Sequence, residues 1–298
     1  METLNSCPIC GHEQLAAFLI CKDHYVSQEE FHIVSCKACG FKFTNPRPTN
    51  VEIGSYYKAE NYISHSDSQK GLVNKAYHLV RRYTLVKKLQ LILSNKKKPN
   101  AISLLDIGCG TGAFLDVCKR AGVNCMGIEP DADARDLAEK KHGLKVGAPE
   151  SINSITPSSL DVVTMWHVLE HVHELQGTIQ KIKELLKPYG RAFVAVPNCT
   201  SYDAKHYEKF WAAYDLPRHL YHFSPDDIRR ICAQHDLELA QILPMRFDSF
   251  YVSMMSEKYM TGNSNYLRAI WIGLKSNFAA IKSGKQFSSQ IYIIQKRA

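Results

Sequence analysis

The chain of 298 residues is longer than an average domain and can bury a large core. Its contents of 45% hydrophobic and 22% charged residues are ordinary for a soluble protein. No apolar run approaches the roughly 20 residues that span a bilayer, and residues 1–20 lack the pattern of a signal peptide. We therefore predict a cytoplasmic protein whose ten cysteines are thiols, metal ligands or buried residues rather than disulfides.

Two C-x-x-C pairs, each followed by glycine, stand near the start of the chain. Cys7 and Cys10 form the first pair, and Cys36 and Cys39 form the second. Two thiolates from each of two tight turns suit a tetrahedral Zn²⁺ with no open coordination position. The alternative is a set of buried cysteines without metal. The spacing predicts a small zinc-ribbon-like module over residues 1–45, with a structural Zn²⁺.

The next segment, residues 46–100, combines a tyrosine-rich stretch with a basic helix. Residues 56–65 are either a loop over a ligand or aromatic packing between domains. Apolar residues at helical spacing predict a helix over 72–93. Nine lysines or arginines and no acidic residue lie between Gln69 and Lys98. This charge indicates either a solvated helix face or contact with an anionic substrate, a nucleic acid or a membrane.

The most informative stretch is an apolar strand, predicted over 101–107, followed by a glycine-rich turn and a helix. The turn carries Gly108, Gly110 and Gly112, and Phe114 begins the helical spacing. Glycines let a ligand approach the main chain, and the helix start offers unpaired N–H groups. This is the opening of an α/β nucleotide-binding unit.

Further strands alternate with helices along the rest of the chain, which predicts parallel βαβ units and a sheet covered on both faces. The predicted strands are 124–131, 144–147, 161–166, 191–198, 237–243 and 290–295. In such sheets the ligand lies beyond the carboxyl ends of the strands.

The glycine turn alone fits two nucleotides. The spacing of Gly108, Gly110 and Ala113 matches a dinucleotide fingerprint, with Glu129 placed to bind a ribose. However, Asp106 stands immediately before the turn. A carboxylate there suits the cationic amino-acid end of S-adenosylmethionine better than the pyrophosphate of a dinucleotide.

Residues 105–112 closely resemble motif I of the class I S-adenosylmethionine-dependent methyltransferases. Residues 127–130 resemble their second motif, and 161–171 are similar to their fourth-strand region. Residues 186–191 resemble the turn before their fifth strand, with Tyr189 in place of the usual glycine. The resemblance covers residues 100–298 and implies a Rossmann-like α/β fold, with a seven-stranded sheet whose last strand is antiparallel. With its zinc ribbon, the chain is similar to the methyltransferase type 23 group, to sugar C-methyltransferases and to certain zinc-bearing rRNA methyltransferases.

The resemblance also implies which residues contact the methyl donor. The predicted contacts are Asp106, Gly108, Cys109, Gly110, Gly112, Phe114, Glu129, Pro130, His167, Tyr62 and His65. The motif His167-x-x-Glu170-His171 also matches an inverted zinc-protease pattern. Because His167 follows a strand in a βαβ series, we assign it to the cofactor or acceptor site instead.

An aromatic and histidine-rich insertion, residues 199–225, interrupts the alternation of strands and helices. We predict that it lines the acceptor pocket, with His219 or His222 as general base and Arg218 available to an anionic group. Each histidine has a structural alternative. For His171, catalysis and buried hydrogen bonding both remain open.

The functional prediction is methyl transfer to a small or carrier-linked acceptor, such as a nucleotide-sugar, a saccharide or a lipid-linked molecule. One alternative is a zinc-ribbon rRNA or tRNA methyltransferase, and another is a non-catalytic nucleotide-binding or scaffold protein. An apolar helical segment over 250–282 is predicted to be a cap, a dimer surface or a membrane-surface contact.

Overall fold

The computed structural model describes residues 1–57, 72–94, 98–263, 265–282 and 286–296. In the helix over 72–93 it describes the side chains from His78 onward. Tyr62 and His65 lie outside the described residues, so their predicted contact with the cofactor stays a prediction. Among the helices of these ranges, none has the length and hydropathy to cross a bilayer.

The strands of the described residues form two sheets. In chain order they are β1 (Leu15–Lys22), β2 (Glu30–Cys36), β3 (Lys42–Thr44), β4 (Ser103–Ile107), β5 (Asn124–Ile128), β6 (Val146–Gly147), β7 (Leu160–Trp166), β8 (Leu186–Pro197), β9 (Tyr221–His222), β10 (Leu237–Pro244) and β11 (Ser289–Lys296). The α-helices are α1 (Leu72–Leu93), α2 (Ala113–Arg120), α3 (Ala132–His142), α4 (Leu175–Leu185), α5 (Tyr202–Tyr207), α6 (Pro225–Gln234), α7 (Asp248–Thr261) and α8 (Tyr266–Lys282).

The larger sheet has seven strands in the order β10-β11-β8-β7-β4-β5-β6. Strands β8, β7, β4, β5 and β6 are parallel, whereas β11 runs antiparallel to both of its neighbours. The central strands are buried on both faces, as the side chains of Leu104, Leu105, Val162 and Val163 show. The predicted seven-stranded sheet with an antiparallel last strand and helices on both faces is confirmed.

The smaller sheet has four strands in the order β1-β2-β3-β9. Its first three strands come from the amino-terminal module, and the fourth, Tyr221–His222, comes from the predicted insertion. The backbone N–H of Thr44 also donates to the carbonyl of Leu220 at 2.9 Å. The insertion is therefore joined to the amino-terminal sheet by main-chain hydrogen bonds, a contact that sequence periodicity did not predict.

The turn predicted before the fifth strand lies inside β8. The pairing register with β7 shifts between Leu160 and Val162, opposite this turn. Tyr189 is exposed and has a φ of 66°, the left-handed region that favours glycine. A Cβ at Gly190 would lie only 2.9 Å from the carbonyl oxygen of Leu160. The turn is thus an irregularity within β8, opposite the register shift with β7, and it does not separate two elements.

The apolar segment near the carboxyl end forms two helices, α7 and α8, which pack against each other. Helix α7 ends at Gly262, whose φ of 79° closes the helix. Gly273 of α8 lies against Phe250 of α7, where a Cβ would come within 2.6 Å of the ring. A small residue is therefore required for this close approach.

Candidate active site and candidate metal centre

The glycine turn connects β4 to α2 at the carboxyl edge of the large sheet. At Gly108 a Cβ would lie 2.4 Å from Val168 Cγ2, so this glycine permits tight packing. At Gly110, with φ 54°, a Cβ would meet nothing within 4 Å. Gly112, at the start of α2, packs against Leu144. The main chain around Gly110 is thus the part of the turn that a ligand can approach.

Asp106, in β4 just before this turn, is a buried carboxyl group with 2% exposure. It accepts a hydrogen bond from Thr164 Oγ1 at 2.5 Å. Burial raises its pKa to about 7, although the Thr164 bond and the charge of Lys88 lower it. A cation that approaches this carboxylate would stabilise the ionised form.

Lys88 of α1 brings an ammonium group to the same region. Its Nζ lies 4.2 Å from the centre of the Trp166 ring, at the end of β7. Burial lowers the pKa of Lys88 to about 8, and the charge of Asp106 opposes that change. The sequence indicates only that this lysine belongs to a basic helix, because its proximity to Asp106 depends on how α1 packs.

Glu129 follows β5 and lies over the glycine turn. Its Oε2 accepts a hydrogen bond from the backbone N–H of Gly110 at 2.8 Å, and its Oε1 accepts from Asp131 at 3.1 Å. The carboxylate is buried. Pro130 is exposed beside it, and its carbonyl accepts from Arg135. Glu129 is therefore fixed next to the turn that a nucleoside would occupy.

Two other predicted cofactor contacts lie beneath the turn. Phe114 is buried, and its ring meets the Trp166 ring edge to face at 5.4 Å. The thiol of Cys109 lies against Gly127, where a Cβ would be 2.5 Å from the sulfur. Burial raises the pKa of Cys109 above its ordinary value, so the group is a neutral thiol. Both side chains therefore support the turn from the protein side.

His167 stands at the carboxyl end of β7 with a φ of 59°. Its Nε2 is 3.2 Å from Asp248 Oδ2, and its Nδ1 is 3.4 Å from Glu170 Oε1. Burial lowers its pKa, but the bonds to Asp248 and Glu170 outweigh burial and raise the pKa to about 9. His167 is therefore a cation at neutral pH that ties the end of β7 to the start of α7.

Glu170, His171 and His219 form a compact cluster just beyond His167. One potential ligand atom from each lies within 4.8 Å of the others. Glu170 has 0% exposure, and its Oε1 forms an ion pair with His167 Nδ1 at 3.4 Å. Burial raises its pKa, but the bond to His167 and the nearby histidines lower it overall. This is an ionised carboxylate in a buried site, next to two imidazoles that can carry a proton or hold a divalent cation.

The two histidine rings of the cluster are held differently. His219 Nδ1 is 2.9 Å from the carbonyl of Ala213, so this nitrogen carries the hydrogen. His171 Nδ1 lies 2.9 Å from Tyr57 Oη and 3.0 Å from the carbonyl of Arg218. Burial lowers the pKa of His171 to about 4, and the charge of His219 adds to the effect. His171 is therefore neutral at pH 7.

His222, the other predicted base, does not join this cluster. It is buried in β9, with Nε2 3.2 Å from Thr44 Oγ1 and its ring edge on to Tyr214. Burial holds its pKa well below the ordinary value. These contacts join β9 to β3 through Thr44 and to the rest of the insertion through Tyr214.

Arg218 cannot hold an anionic acceptor as predicted. Its side chain is 1% exposed, and it forms ion pairs with Asp23 at 3.0 Å and Asp215 at 2.7 Å. Its Nη1 also donates to the carbonyl of Tyr56. Two carboxylates therefore neutralise this buried guanidinium, which connects the insertion to the amino-terminal module.

The four predicted zinc ligands meet at one point. The sulfur atoms of Cys7 and Cys39 are 3.6 Å apart, and those of Cys10 and Cys36 are 3.5 Å apart. All four lie within 4.8 Å of one another. The backbone N–H groups of Gly11 and Gly40 donate to the carbonyls of Cys7 and Cys36, which closes each turn. These distances exceed a disulfide bond and suit tetrahedral thiolate coordination.

The family model described as "Methyltransferase domain" matches residues 77–242, more than half of the chain. The chain belongs to this family, which confirms the predicted class I S-adenosylmethionine-dependent methyltransferase. The match includes the glycine turn, Glu129 and the Glu170 cluster.

Curated relatives include ubiquinone biosynthesis O-methyltransferases. The enzyme of Cupriavidus pinatubonensis is 34% identical over 103 residues, which cover 32% of this chain and 41% of the relative. The enzyme of Aromatoleum aromaticum is 28% identical, with 55% of this chain and 75% of the relative covered. This chain thus matches less than half of the first relative's length.

Among solved structures, the magnesium protoporphyrin IX methyltransferase of Synechocystis with bound SAH has a similar fold. Its TM-score is 0.52 at 15% identity, with 78% of this chain and 91% of that chain covered. At this identity the similarity supports the fold alone.

Proposed function

We propose that the protein transfers a methyl group from S-adenosylmethionine to a hydroxyl group of a small or carrier-linked acceptor. The proposal rests on one observation: the glycine turn of the donor site and the Glu170 cluster lie together at the carboxyl edge of the large sheet. Val168 packs on Gly108 of the donor turn, and the Glu170 cluster follows two residues later. The names of the ubiquinone biosynthesis relatives support a hydroxyl acceptor.

Three features of the chain fit the donor. The main chain at Gly110 is open to a ligand, and Glu129 lies beside it to accept hydrogen bonds from ribose hydroxyls. Asp106 offers a buried carboxylate to an ammonium group. Bound S-adenosylmethionine supplies a methyl group activated by its sulfonium sulfur.

His219 is the general base in this proposal. With hydrogen on Nδ1, its Nε2 has a lone pair that takes the proton of the acceptor hydroxyl. The oxygen–methyl bond forms as the sulfur–methyl bond breaks, and the proton remains on His219. The charges of Glu170 and of Asp215, whose Oδ2 is 4.0 Å from His219 Nε2, stabilise the resulting imidazolium. The neutral ring of His171 packs edge to face on His219 at 4.6 Å.

A direct test compares His219→Gln with His222→Gln, using labelled methyl donor and pools of nucleotide-sugars, lipid-linked acceptors and RNA. We expect His219→Gln to slow methyl transfer by about 10²-fold or more. The His222 variant should affect thermal stability more than chemistry, because that ring packs in the small sheet. Full activity in His219→Gln would refute the assigned base, and methylation of RNA alone would refute the acceptor class.

We also propose a structural Zn²⁺ held by Cys7, Cys10, Cys36 and Cys39. Burial raises the pKa of Cys7 above its ordinary value and that of Cys39 to about 11, so these thiols need a cation to become thiolates. Four sulfur ligands leave no open position for catalysis. Elemental analysis of the purified chain should find one zinc per molecule, and a metal-free protein with intact activity would refute the site.

A further inference from the structure

Helix α8 presents its large apolar side chains outward. Six of them form one stripe, and each is more than half exposed: Leu267, Ile270, Trp271, Leu274, Phe278 and Ile281. At 100° per residue these positions fall within an arc of about 100° on the helix surface. We call this surface the α8 stripe. Contiguous exposed apolar surface of this kind marks an interaction site.

The outward orientation of the stripe is fixed by the opposite face of the helix. That face is composed mostly of small residues, which are buried: Ala269, Ile272, Gly273, Ser276 and Ala280. Ser276 donates a hydrogen bond to buried Asp203 at 2.6 Å, and Gly273 packs on Phe250. Turning the stripe inward would break both contacts and force large side chains against α7. The packing of the small-residue face against the rest of the protein therefore leaves the α8 stripe exposed.

One edge of the stripe is cationic. Lys275 and Lys282 lie along the same side of α8, and the helix has no acidic residue. Arg268 lies on this side too, but it forms an ion pair with Glu257 of α7 at 3.2 Å. Lys275 Nζ is 5.0 Å from the Trp271 ring centre, and Lys282 Nζ is 4.8 Å from that of Phe278. The lysine stems thus run along the aromatic side chains, with the charges at the margin of the stripe.

The apolar surface continues from α8 towards the active site. Asn277 of α8 donates to the carbonyl of Arg246, next to Phe247. The exposed Phe247 ring meets the exposed Tyr83 ring of α1 edge to face at 5.8 Å. The residue after Phe247 is Asp248, which contacts His167. The stripe and the active site therefore adjoin the same turn of chain.

We propose that the α8 stripe docks on the surface of an anionic lipid bilayer. An amphipathic helix with aromatic and aliphatic residues on one face, and lysines or arginines at its edge, lies in the plane of the lipid headgroups. Each basic side chain near an anionic surface adds attraction that salt screens. The net charge of +8 supports the same partner.

The cationic edge argues against a second copy of the chain as the occupant. A two-fold pairing of antiparallel α8 helices through the stripe would place both cationic edges on the same side. Within α8 no acidic side chain could neutralise Lys275 and Lys282, whereas Arg268 is already paired with Glu257 of α7. Such a dimer would bury the apolar stripe at the cost of like-charge repulsion, whereas anionic headgroups satisfy both features.

The experiment measures sedimentation of the full chain with vesicles of phosphatidylcholine alone, or of phosphatidylcholine mixed with phosphatidylglycerol. We expect binding to the anionic vesicles only, weakened by added salt. Leu274→Gln with Phe278→Gln should reduce the partition coefficient by about tenfold or more, because two large side chains no longer enter the lipid. Lys275→Glu with Lys282→Glu should reduce it about tenfold and weaken the salt dependence.

Matched controls are Val51→Gln, an exposed apolar residue elsewhere, and Lys140→Glu, an exposed lysine of α3. Both should bind vesicles like the native chain. The native chain also offers a readout without substitution, because Trp271 fluorescence should shift to shorter wavelength when anionic vesicles are added. Absence of this shift and of sedimentation at low salt would overturn the proposal. A dimer that Leu274→Gln with Phe278→Gln dissolves, without vesicle binding, would instead assign the stripe to a second copy.

Discussion

The two sheets of the molecule differ in what holds them together. The seven-stranded sheet buries its central strands on both faces, and its hydrophobic side chains form continuous clusters with the surrounding helices. The four-stranded sheet has partly exposed strands. It depends on four cysteines, on strand β9 from the insertion and on the buried ion pair of Arg218 with Asp23. Apolar burial stabilises both sheets, because Phe41 and Phe43 belong to the same buried cluster as Leu105 of the large sheet. The small sheet depends in addition on specific polar and sulfur contacts.

This difference also separates the two halves of the proposed active site. The donor residues Asp106, Gly110 and Glu129 belong to the large sheet. His219 lies where the two sheets meet, because Thr44 of β3 donates from Oγ1 to the His219 carbonyl at 2.7 Å. The donor half should therefore tolerate damage to the small sheet, whereas the acceptor half should not.

Replacing Cys36 with serine should have the largest effect on the acceptor half relative to the donor half. Structural zinc sites contribute on the order of 10 kcal/mol or more to folding, so losing one thiolate should release the metal. The small sheet should loosen, and methyl transfer should be nearly abolished as His219 loses its support. Affinity for S-adenosylmethionine, measured by calorimetry, should change by less than about threefold if the large sheet is independent.

The matched control for this substitution is Cys125→Ser in β5, which lies outside the cysteine cluster. It should retain zinc and activity. If Cys36→Ser loses its zinc and keeps full methyl transfer, the small sheet does not support the site.

Replacing Glu170 with glutamine tests the acceptor half alone. The amide cannot stabilise an imidazolium at His219, so the turnover number should fall by about 10²-fold while donor affinity is unchanged. Steady-state kinetics with a saturating donor would measure the loss. The nearby exposed Glu174→Gln should behave like the native protein.

The same cluster has a geometry that suits a divalent cation, and a chelator distinguishes the two roles. Activity that survives dialysis against EDTA, with one zinc per chain retained at the four cysteines, assigns Glu170 to stabilising a proton on His219. Activity that is lost and then restored by Mg²⁺ or Mn²⁺ would assign the carboxylate to a metal instead.

Asp106 should give the donor half a pH dependence. Its pKa of about 7 in the donor-free protein means that donor affinity falls as pH drops below 7, because the neutral carboxyl no longer attracts an ammonium. Asp106→Asn should weaken binding by roughly tenfold at pH 8 and flatten this dependence. Calorimetry across pH would measure both, with the exposed Asp136→Asn as control.

Asp106 should also lower the stability of the donor-free protein at alkaline pH. Because burial raises the folded-state pKa above that of the unfolded chain, the free energy of unfolding falls as pH rises between about 4 and 7. Asp106→Asn avoids this loss and should be more stable than the native chain at pH 8, by up to about 4 kcal/mol. Equal stability in denaturant titrations would show that the carboxylate is better solvated than its burial indicates.

The smallest effect is expected at Tyr57. Removing its hydroxyl in Tyr57→Phe deletes the contact with His171 and should reduce turnover by about two- to tenfold. Its neighbour Tyr56 instead donates to Glu29. Tyr56→Phe is therefore the control and should leave turnover unchanged; equal losses in both variants would indicate a general effect of the segment.

The large sheet could be predicted because its information is local. Helix α1 begins and ends at Leu72 and Leu93, as the periodicity predicted. The glycine turn and Glu129 follow from adjacent residues in the sequence. The four cysteines also came together as their spacing indicated.

The acceptor half could not be predicted in the same way, because it depends on contacts between distant parts of the chain. Arg218 is conspicuous in sequence as a free cation, yet its partner Asp23 lies 195 positions away. Tyr57 and Lys88 reach the site from a segment with no motif. His219 and His222 are only three residues apart, so the sequence could not show which of them lies in the cluster. The pairing of β9 with β3 places His222 in the small sheet and leaves His219 outside it.

The short strand β9 has a consequence for the order of assembly. Its two residues pair with β3, while its neighbour Leu220 donates a backbone hydrogen bond to the carbonyl of Glu170. A newly made chain therefore cannot complete the small sheet until residue 221 has been synthesised. The large sheet in turn needs β11, which pairs with β8 and follows residue 221, so both sheets should be completed only late in synthesis.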